Sequence, residues 1–315
     1  MAHAHSHHAH SHSDHARSDN TGHESGGASS RLLIAFALTC ATLIAEAAGG
    51  WLSGSLALLA DAGHMLVDAA ALLLAWGSAR MAQRPADARR SFGYARMEVL
   101  AGYTNALAQF VLTAWIVYEA VGRLLAPNPI QSGLMLIVAV AGLLVNALVL
   151  RVIGGHDHDD VNTASARLHV LGDMLGSLAA VVAALLIRYF GWLAADPALS
   201  IFVALLILGS AWKLLRRSAH ILLEGTPDDV ESAQVAASIE RETGIGGVHH
   251  VHIWQIAGGQ RIATLHARVA SGAEPGAALV AIQTVLRERF DIAHATIQIE
   301  QGTECGGEEC RQHEH

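Results

Sequence analysis

The chain has 315 residues, of which 52% are hydrophobic and only 15% are charged, and its mean hydropathy is +0.35. A soluble protein carries about 25% charged residues, so this composition excludes an ordinary soluble domain over most of the chain. The formal net charge is −8 with the histidines counted as neutral, and this acidic balance argues against nucleic acid as a partner.

Residues 1–30 are rich in His, Ser, Asp and Gly and contain eight of the 20 histidines of the chain. A segment with so few apolar residues cannot build a core, so we predict a disordered tail. His-rich tracts bind metal ions weakly, and we expect this one only to concentrate metal locally. An engineered affinity tag is the alternative, which the irregular spacing of the histidines disfavours.

Six apolar segments follow, each close to the roughly 20 residues that cross a bilayer as a helix. They lie at 32–52, 55–80, 99–122, 131–153, 165–190 and 197–215. Twelve Lys or Arg residues fall on the side of the N-terminus, and only Arg123 and Arg188 on the other. The positive-inside rule therefore predicts a multi-pass protein of the inner or plasma (cell) membrane with both termini in the cytoplasm. The first segment lacks a signal-peptide cleavage site, so we expect it to span the membrane.

A four-residue pattern occurs twice inside these apolar segments, as His64-x-x-x-Asp68 and His169-x-x-x-Asp173. Ionisable residues at membrane depth are costly and indicate function by default. On a helix, residues i and i+4 share one face, so each pair is half of a site. Two imidazoles and two carboxylates together give the four ligands of a tetrahedral zinc site. The pattern predicts metal binding in the membrane, and hence metal passage.

After Arg217 the composition becomes that of a soluble domain. Its pattern predicts short helices and strands in alternation. We expect a helix at 227–243 with Pro227 at its first position, and strands at 248–256 and 262–269 joined by a Gly-Gly turn. A second helix at 275–290 and a last strand at 295–300 complete a small α+β domain with its helices on one face of the sheet. So small a core favours oligomerisation.

The predicted organisation is a tail at 1–30, a six-helix transmembrane bundle at 31–217, a cytosolic domain at 218–302 and a flexible tail at 303–315.

The missing motifs narrow the function further. The sequence contains no phosphate-binding Gly loop of the Walker type, so we expect no nucleotide to bind. It contains no H-E-x-x-H motif, which disfavours an intramembrane metalloprotease, and we expect no enzymatic activity. A membrane-anchored zinc sensor or storage protein without transport is the alternative. Ligands at bilayer depth disfavour it, because a sensor has little use for them there.

Several stretches resemble the cation diffusion facilitator family, on its zinc-transporting branch, over nearly the whole span 31–300. They are EAAGG at 46–50, GSLALLADAGH at 54–64 running into Asp68, SFGYARME at 91–98, the segment 169–173, LLEGTP at 222–227, VHHVHIW at 248–254 and TIQIE at 296–300. The resemblance implies a homodimer of six-helix protomers that exports a divalent metal in exchange for protons. It also implies a ferredoxin-like, metallochaperone-like cytosolic domain that binds metal itself.

The resemblance assigns candidate ligands in two places. His64, Asp68, His169 and Asp173 fall on the transport-site positions of the family, where a His at the first position accompanies a preference for zinc over cadmium. Cytosolic metal-site positions fall on His249, His266 and Glu300, with His294 close to a further ligand position. Cys305 and Cys310 stand where some members place a pair of thiols, and a frayed tail with two free thiols is the alternative.

Three neighbouring residues depart from the pattern of the cytosolic site or carry no assigned role. Gln298 stands where some members have a His, which weakens the case for a second metal ion there. His250 replaces a more usual Asp and receives no role. His252 is three residues from His249, so strand alternation predicts that it lies on the opposite face of the sheet.

Zinc is the expected ion and protons are the expected coupling ion. Zinc binds deprotonated His and carboxylate ligands, so loading the site must release protons. By linkage, protonation from the outer side weakens zinc binding and favours release there. The sequence therefore predicts a secondary transporter that exports Zn²⁺ from the cytoplasm between transmembrane helices 2 and 5.

Overall fold

A computed structural model describes residues 24–153, 161–257, 259–270 and 272–301, and within these ranges the side chains of 24–36, 152–153 and 161–169 are left out. The predictions for residues 1–23 and for Cys305 and Cys310 lie outside the described residues.

The chain forms six long helices followed by a small α+β domain. The long helices are α1 (Glu24–Ser53), α2 (Leu56–Ala82), α3 (Arg96–Leu125), α4 (Ser132–Ile153), α5 (Val161–Phe190) and α6 (Ala195–Leu222).

Five helices, α2 to α6, are long and apolar enough to cross a membrane by length and composition, counted over the described residues alone. The helix ends differ from the predicted spans in two places. Helix α1 begins at Glu24, so residues 24–30, which we predicted to belong to the disordered tail, are helical. Helix α6 continues past residue 215 to Leu222, because Lys, Leu and Arg in its last turns are strong helix formers.

The start of α2 is fixed by a carboxylate from α6. Ser55 is the N-cap of α2, and its hydroxyl donates to Asp196 Oδ1 at 2.6 Å. The backbone amides of Leu56 and Ala57 donate to the same carboxylate at 2.7 and 3.1 Å. The first amides of a helix lack partners within the helix, and a carboxylate suits the positive end of its dipole. Asp196, which is fully buried, therefore pins the first turn of α2 to α6.

Helices α2 and α5 run antiparallel and approach closely. The first turn of α2, at Ala57 and Leu58, shares an apolar cluster with Ala183 and Ala184 near the end of α5. One to two turns further along α2, Asp61 accepts a hydrogen bond from Ser177 of α5 at 3.3 Å. A Cβ on the neighbouring Gly176 would lie 2.6 Å from the Asp61 carboxylate. A small residue is needed at this contact, as is usual where membrane helices touch.

The soluble domain consists of α7 (Ser232–Thr243), β1 (Val248–Gln255), β2 (Arg261–Val269), α8 (Pro275–Phe290) and β3 (His294–Gln301). The strand order is β1-β2-β3, antiparallel between the first two and parallel between the last two. Both helices pack on one face of the sheet, where Ile239 and Leu286 meet Ile253 and Leu265 in one buried core.

The prediction that α7 begins at Pro227 is wrong. The helix begins at Ser232 with Glu231 as its cap, and Pro227 instead accepts a turn hydrogen bond from the Val230 amide at 3.0 Å. Val230 is buried in the core of the domain, so the chain must turn before the helix to bring it there. Helix α8 has the predicted bounds, and each strand end lies within one residue of its predicted position.

Two contacts connect the membrane and soluble parts. Arg96, at the start of α3, forms an ion pair with Glu224 at 2.9 Å, just after the end of α6. The ring of Phe92, in the loop between α2 and α3, packs edge-on against His294 with the ring centres 6.4 Å apart. Both contacts lie on segments adjoining α2, α3 and α6.

Candidate metal sites

The first candidate site lies where α2 faces α3. His64 Nε2 is 3.4 Å from Asp68 Oδ2, one turn further along the same helix. The α3 residue Gln109 donates from Nε2 to Asp68 Oδ1 at 2.7 Å, and the same amide nitrogen lies 3.1 Å from His64 Nδ1. The sequence alone does not point to Gln109, because a neutral amide in an apolar helix gives no metal-ligand signal.

These side chains open into a cavity of about 430 Å³ between α2, α3, α5 and α6. Its polar lining comes from Asp61, His64, Asp68, Asn105 and Gln109, whereas Val203, Leu206 and Ile207 of α6 supply an apolar wall. A volume of this size has room for a cation with part of its water shell beside the His64–Asp68 pair.

The second half of the predicted transport site is on α5. Asp173 is buried, with 5% of its surface exposed, and it lies one turn before Ser177, whose hydroxyl donates to Asp61 of α2. His169 lies on the same helix, one turn before Asp173, but its side chain is outside the described part of the chain. His64 and Asp68 are thus close enough to form the predicted half-site on α2. That they bind one metal ion together with His169 and Asp173 stays a prediction.

Two other carboxylates are buried in the helix bundle near this site. Glu46 of α1 and Asp61 of α2 are 0% and 3% exposed. The two Glu46 carboxylate oxygens have no hydrogen-bond partner among the described residues, and the position of Gly142 on α4 leaves no room for a Cβ beside them. Sequence analysis quoted both residues as part of matching stretches but gave them no role.

The second candidate site is on the sheet of the soluble domain. His249 of β1 lies directly opposite His266 of β2, and β3 runs on the other side of β2. His266 Nδ1 is 2.9 Å from Glu300 Oε1, and His249 Nε2 is 3.4 Å from Glu300 Oε2. One ligand atom from each of the three side chains lies within 4.8 Å of the other two. The structure thus brings together the three residues predicted for a cytosolic metal site.

The hydrogen bonds of this cluster suit a metal ion. His249 Nδ1 lies 3.0 Å from the Gly247 carbonyl oxygen, which orients the ring and leaves Nε2 as the metal-facing nitrogen. His249 Nε2 and Glu300 Oε2 are buried and have no hydrogen-bond partner among the described residues. Two buried polar atoms that face each other unsatisfied are costly, and a bound cation between them would satisfy both.

Two residues of the soluble domain differ from expectation. His294 is not part of the cluster: it pairs with Ile262 at the far end of the two strands, whereas Glu300 lies six residues along β3. It packs against Phe92 instead. His252 pairs with Thr264, two residues from His266 on β2, so it lies on the same sheet face as His266. A β-bulge between His249 and His252 adds one residue to β1 and reverses the alternation on which that prediction rested.

Gln298 occupies the β3 position opposite His266, and its side-chain amide donates to Glu300 Oε1 at 3.3 Å. An amide is a poorer zinc ligand than the imidazole found there in some members of the resembling family. This hydrogen bond gives Gln298 a role in holding the Glu300 carboxylate rather than in binding a second ion.

Comparisons with known proteins cover nearly the whole chain. Residues 32–223 match a family model described as the cation efflux transmembrane domain, and residues 227–302 match one described as the cation efflux protein cytoplasmic domain. The zinc transporter ZitB of Pectobacterium atrosepticum is 46% identical over 93% of this chain and 91% of that protein. ZitB of Escherichia coli K12 is 44% identical over 100% of this chain and 97% of that protein. A Bacillus velezensis protein named as a cadmium, cobalt and zinc/H(+)-K(+) antiporter is 39% identical over 88% of this chain and 90% of that protein.

Proposed function

Because this chain belongs to the cation diffusion facilitator (cation efflux) family of multi-pass membrane transporters, we propose that it exports Zn²⁺ from the cytoplasm in exchange for protons. The zinc transporters named among its relatives support zinc as the ion. The His64–Asp68 pair on the wall of a membrane cavity is the observation that carries the proposal, because imidazole with carboxylate is a donor set that suits zinc.

The transport site consists of His64 and Asp68 from α2 with His169 and Asp173 from α5. The contact between Asp61 and Ser177 supports this grouping, because it shows which residues of the two antiparallel helices lie at the same height along their axes. From that contact, Asp68 is seven residues along α2 and His169 is eight residues back along α5, or about 10 Å and 12 Å at the rise of an α-helix. His64 and Asp173 lie correspondingly three and four residues from the contact. Each His therefore lies level with an Asp of the other helix.

Proton exchange follows from the chemistry of the four ligands. Zinc binds only their deprotonated forms, so loading from the cytoplasm releases protons. Binding of protons from the outer side weakens the hold on zinc by the same linkage. The helix bundle then has only to expose the site to each side in turn. The name of the Bacillus velezensis relative, an antiporter that includes H(+), supports this coupling.

The rest of the assembly follows the same proposal. The protein is a homodimer in the bacterial inner membrane with both termini in the cytoplasm. The soluble domain binds zinc through His249, His266 and Glu300, and the unsatisfied buried atoms of that cluster support the assignment. Zinc bound there tightens the dimer to the extent that the dimer binds zinc more strongly than the separate protomers do, since a ligand that prefers one state stabilises that state.

Zinc flux into sealed proteoliposomes with an imposed pH gradient tests the proposal. Asp173→Ala should reduce flux to that of protein-free vesicles. Ser210→Ala is the matched control, because Ser210 lines the same cavity but its hydroxyl donates to a carbonyl of its own helix. Zinc binding without flux in the wild-type protein would favour a membrane-anchored sensor, and flux that ignores the pH gradient would remove the proton coupling.

A further inference from the structure

The β-bulge in β1 changes which histidines face the cytosolic cluster. His249 pairs with His266, and the next registered pair is His252 with Thr264, so His250 is one of the two residues in the widened stretch. In a bulge, two consecutive residues oppose one residue of the partner strand. His250 consequently lies beside His266 rather than in the core, and its backbone has a φ of 50°.

This backbone conformation is costly for His250. A φ in the left-handed region is uncommon for residues other than glycine, and such outliers persist only where the surrounding structure requires them. The sheet could be built more simply with Gly at this position. The strained backbone is retained together with an imidazole, which points to a use for the ring.

The three imidazole rings lie close to one another. Their ring centres are 5.4 Å apart for His249 and His250, 5.4 Å for His249 and His266, and 5.2 Å for His250 and His266. A zinc–nitrogen bond of about 2.0 Å puts each ring centre about 3.2 Å from the metal, so two imidazoles at a tetrahedral angle have centres about 5.2 Å apart. All three observed separations agree with that value.

We propose that His250 is the fourth ligand of the cytosolic metal site, which is then a closed His₃Glu site within one protomer. The inference rests on the proposed zinc binding by His249, His266 and Glu300 and assigns the remaining position. Three imidazoles and one carboxylate fill a tetrahedral shell. The site therefore holds one zinc-class ion, leaves no place for a water ligand, and needs no residue from the other protomer.

Cobalt spectroscopy on the full-length protein in detergent tests this assignment. Asp68→Ala/Asp173→Ala serves as the background, so that differences between variants report the soluble domain. Co²⁺ in a tetrahedral site absorbs visible light far more strongly than in a five- or six-coordinate site. His250→Gly removes the imidazole while suiting the positive φ, and His250→Asn repeats the test with a side chain that tolerates this conformation. His252→Ala is the matched control, since His252 is an exposed histidine on the same sheet face.

Both His250 variants should lose the intense tetrahedral band and weaken zinc binding at least about tenfold in competition with a chromophoric chelator, whereas His252→Ala should change neither. An unchanged band and affinity in His250→Gly would overturn the role of His250 while leaving a three-ligand site in place. A band that also survives His249→Ala and His266→Ala would overturn the cytosolic site itself, and the His250 assignment with it.

Discussion

The two candidate metal sites are built in opposite ways. In the proposed membrane site, α2 and α5 would each contribute a pair of ligands one turn apart, and the packing of α2 against α5 would have to bring the pairs together. In the soluble domain, three neighbouring strands each contribute a ligand, and their registers fix the group before any metal arrives. The Gln109 amide connects His64 with Asp68, whereas His249 Nε2 and Glu300 Oε2 lie 3.4 Å apart and make no hydrogen bond among the described residues.

This difference suits two different tasks. Ligands on two separate helices can be separated by a small relative movement of those helices, which a transporter needs in order to release its ion. Ligands held in one hydrogen-bonded sheet move together, so such a site would retain its ion.

Asp68→Ala should eliminate zinc flux into proteoliposomes, because a closed tetrahedral site that loses a ligand no longer holds the ion. His266→Ala should lower flux by less, since it alters a site outside the membrane. The ratio of the two initial rates, at equal protein incorporation, measures the contrast. Equal loss in both variants would show that the two sites act as one unit.

Asp196→Ala should destabilise the protein by about 3 kcal/mol, because three donors at the start of α2 lose a buried, charged acceptor. Chemical unfolding in detergent measures the effect. Asp228→Ala removes an exposed carboxylate outside the helices and should leave stability nearly unchanged. Equal stability of both variants would show that Asp196 does not anchor α2.

Zinc should stabilise the soluble domain by about 2.7 kcal/mol at a free concentration one hundred times its dissociation constant. Thermal unfolding with and without zinc measures this shift, which His249→Ala should remove. His252→Ala should keep the shift. A zinc-dependent shift of equal size in His249→Ala would mean that the stabilising ion binds elsewhere.

His64→Asp should change the metal preference of the membrane site rather than eliminate transport. The substitution replaces an imidazole with an oxygen ligand, and the family resemblance associates that change with broader acceptance of cadmium. The ratio of zinc to cadmium flux, measured in the same vesicle preparation, should fall. An unchanged ratio would place the selectivity outside His64.

Tyr94→Phe should have the smallest effect, because it acts in the exposed loop between α2 and α3. The Tyr94 hydroxyl, 2.6 Å from Asp87 Oδ2, is the main reason that the pKa of Asp87 lies below its usual value. The backbone amides of Arg89 and Arg90 and the Arg90 charge lower this pKa further.

A lowered pKa in the folded state contributes stability above the pKa of the unfolded state, and this contribution is lost as the pH falls through the folded value. The stability difference between wild type and Tyr94→Phe should therefore be present at neutral pH and shrink in acid. A difference that is constant over pH would mean that Tyr94 acts by packing alone.

The sequence predicts a feature most reliably when that feature depends on a single helix or strand. Apolar length alone identified the membrane helices, and turn residues with β-branched runs gave the strands nearly to the residue. Both features depend on regular periodicity, which a single sequence displays directly. The candidate ligands His249, His266 and Glu300 came instead from the family resemblance, and the strand pairing brings them together.

The errors arose where two elements meet or where periodicity breaks. Gln109 contacts His64 through the lateral packing of α3 on α2, which no spacing within either helix encodes. The bulge in β1 changed the faces of His250 and His252, because one extra residue shifts every later side chain. His294 matched a ligand position approximately by spacing, but six residues of extended strand separate it from Glu300.

Asp196 holds the N-terminal end of α2 in place, so any tilt of this helix moves its far end most. His64 and Asp68 lie eight and twelve residues beyond Leu56, or about 12 Å and 18 Å from the fixed end along the axis. A tilt of about 10° around the fixed end therefore displaces His64 by about 2 Å and Asp68 by about 3 Å. Metal–ligand distances tolerate changes of only about 0.2 Å. A modest rotation of this one helix would therefore break the coordination of an ion held at the proposed site, and the ligand farther from the fixed end would move more.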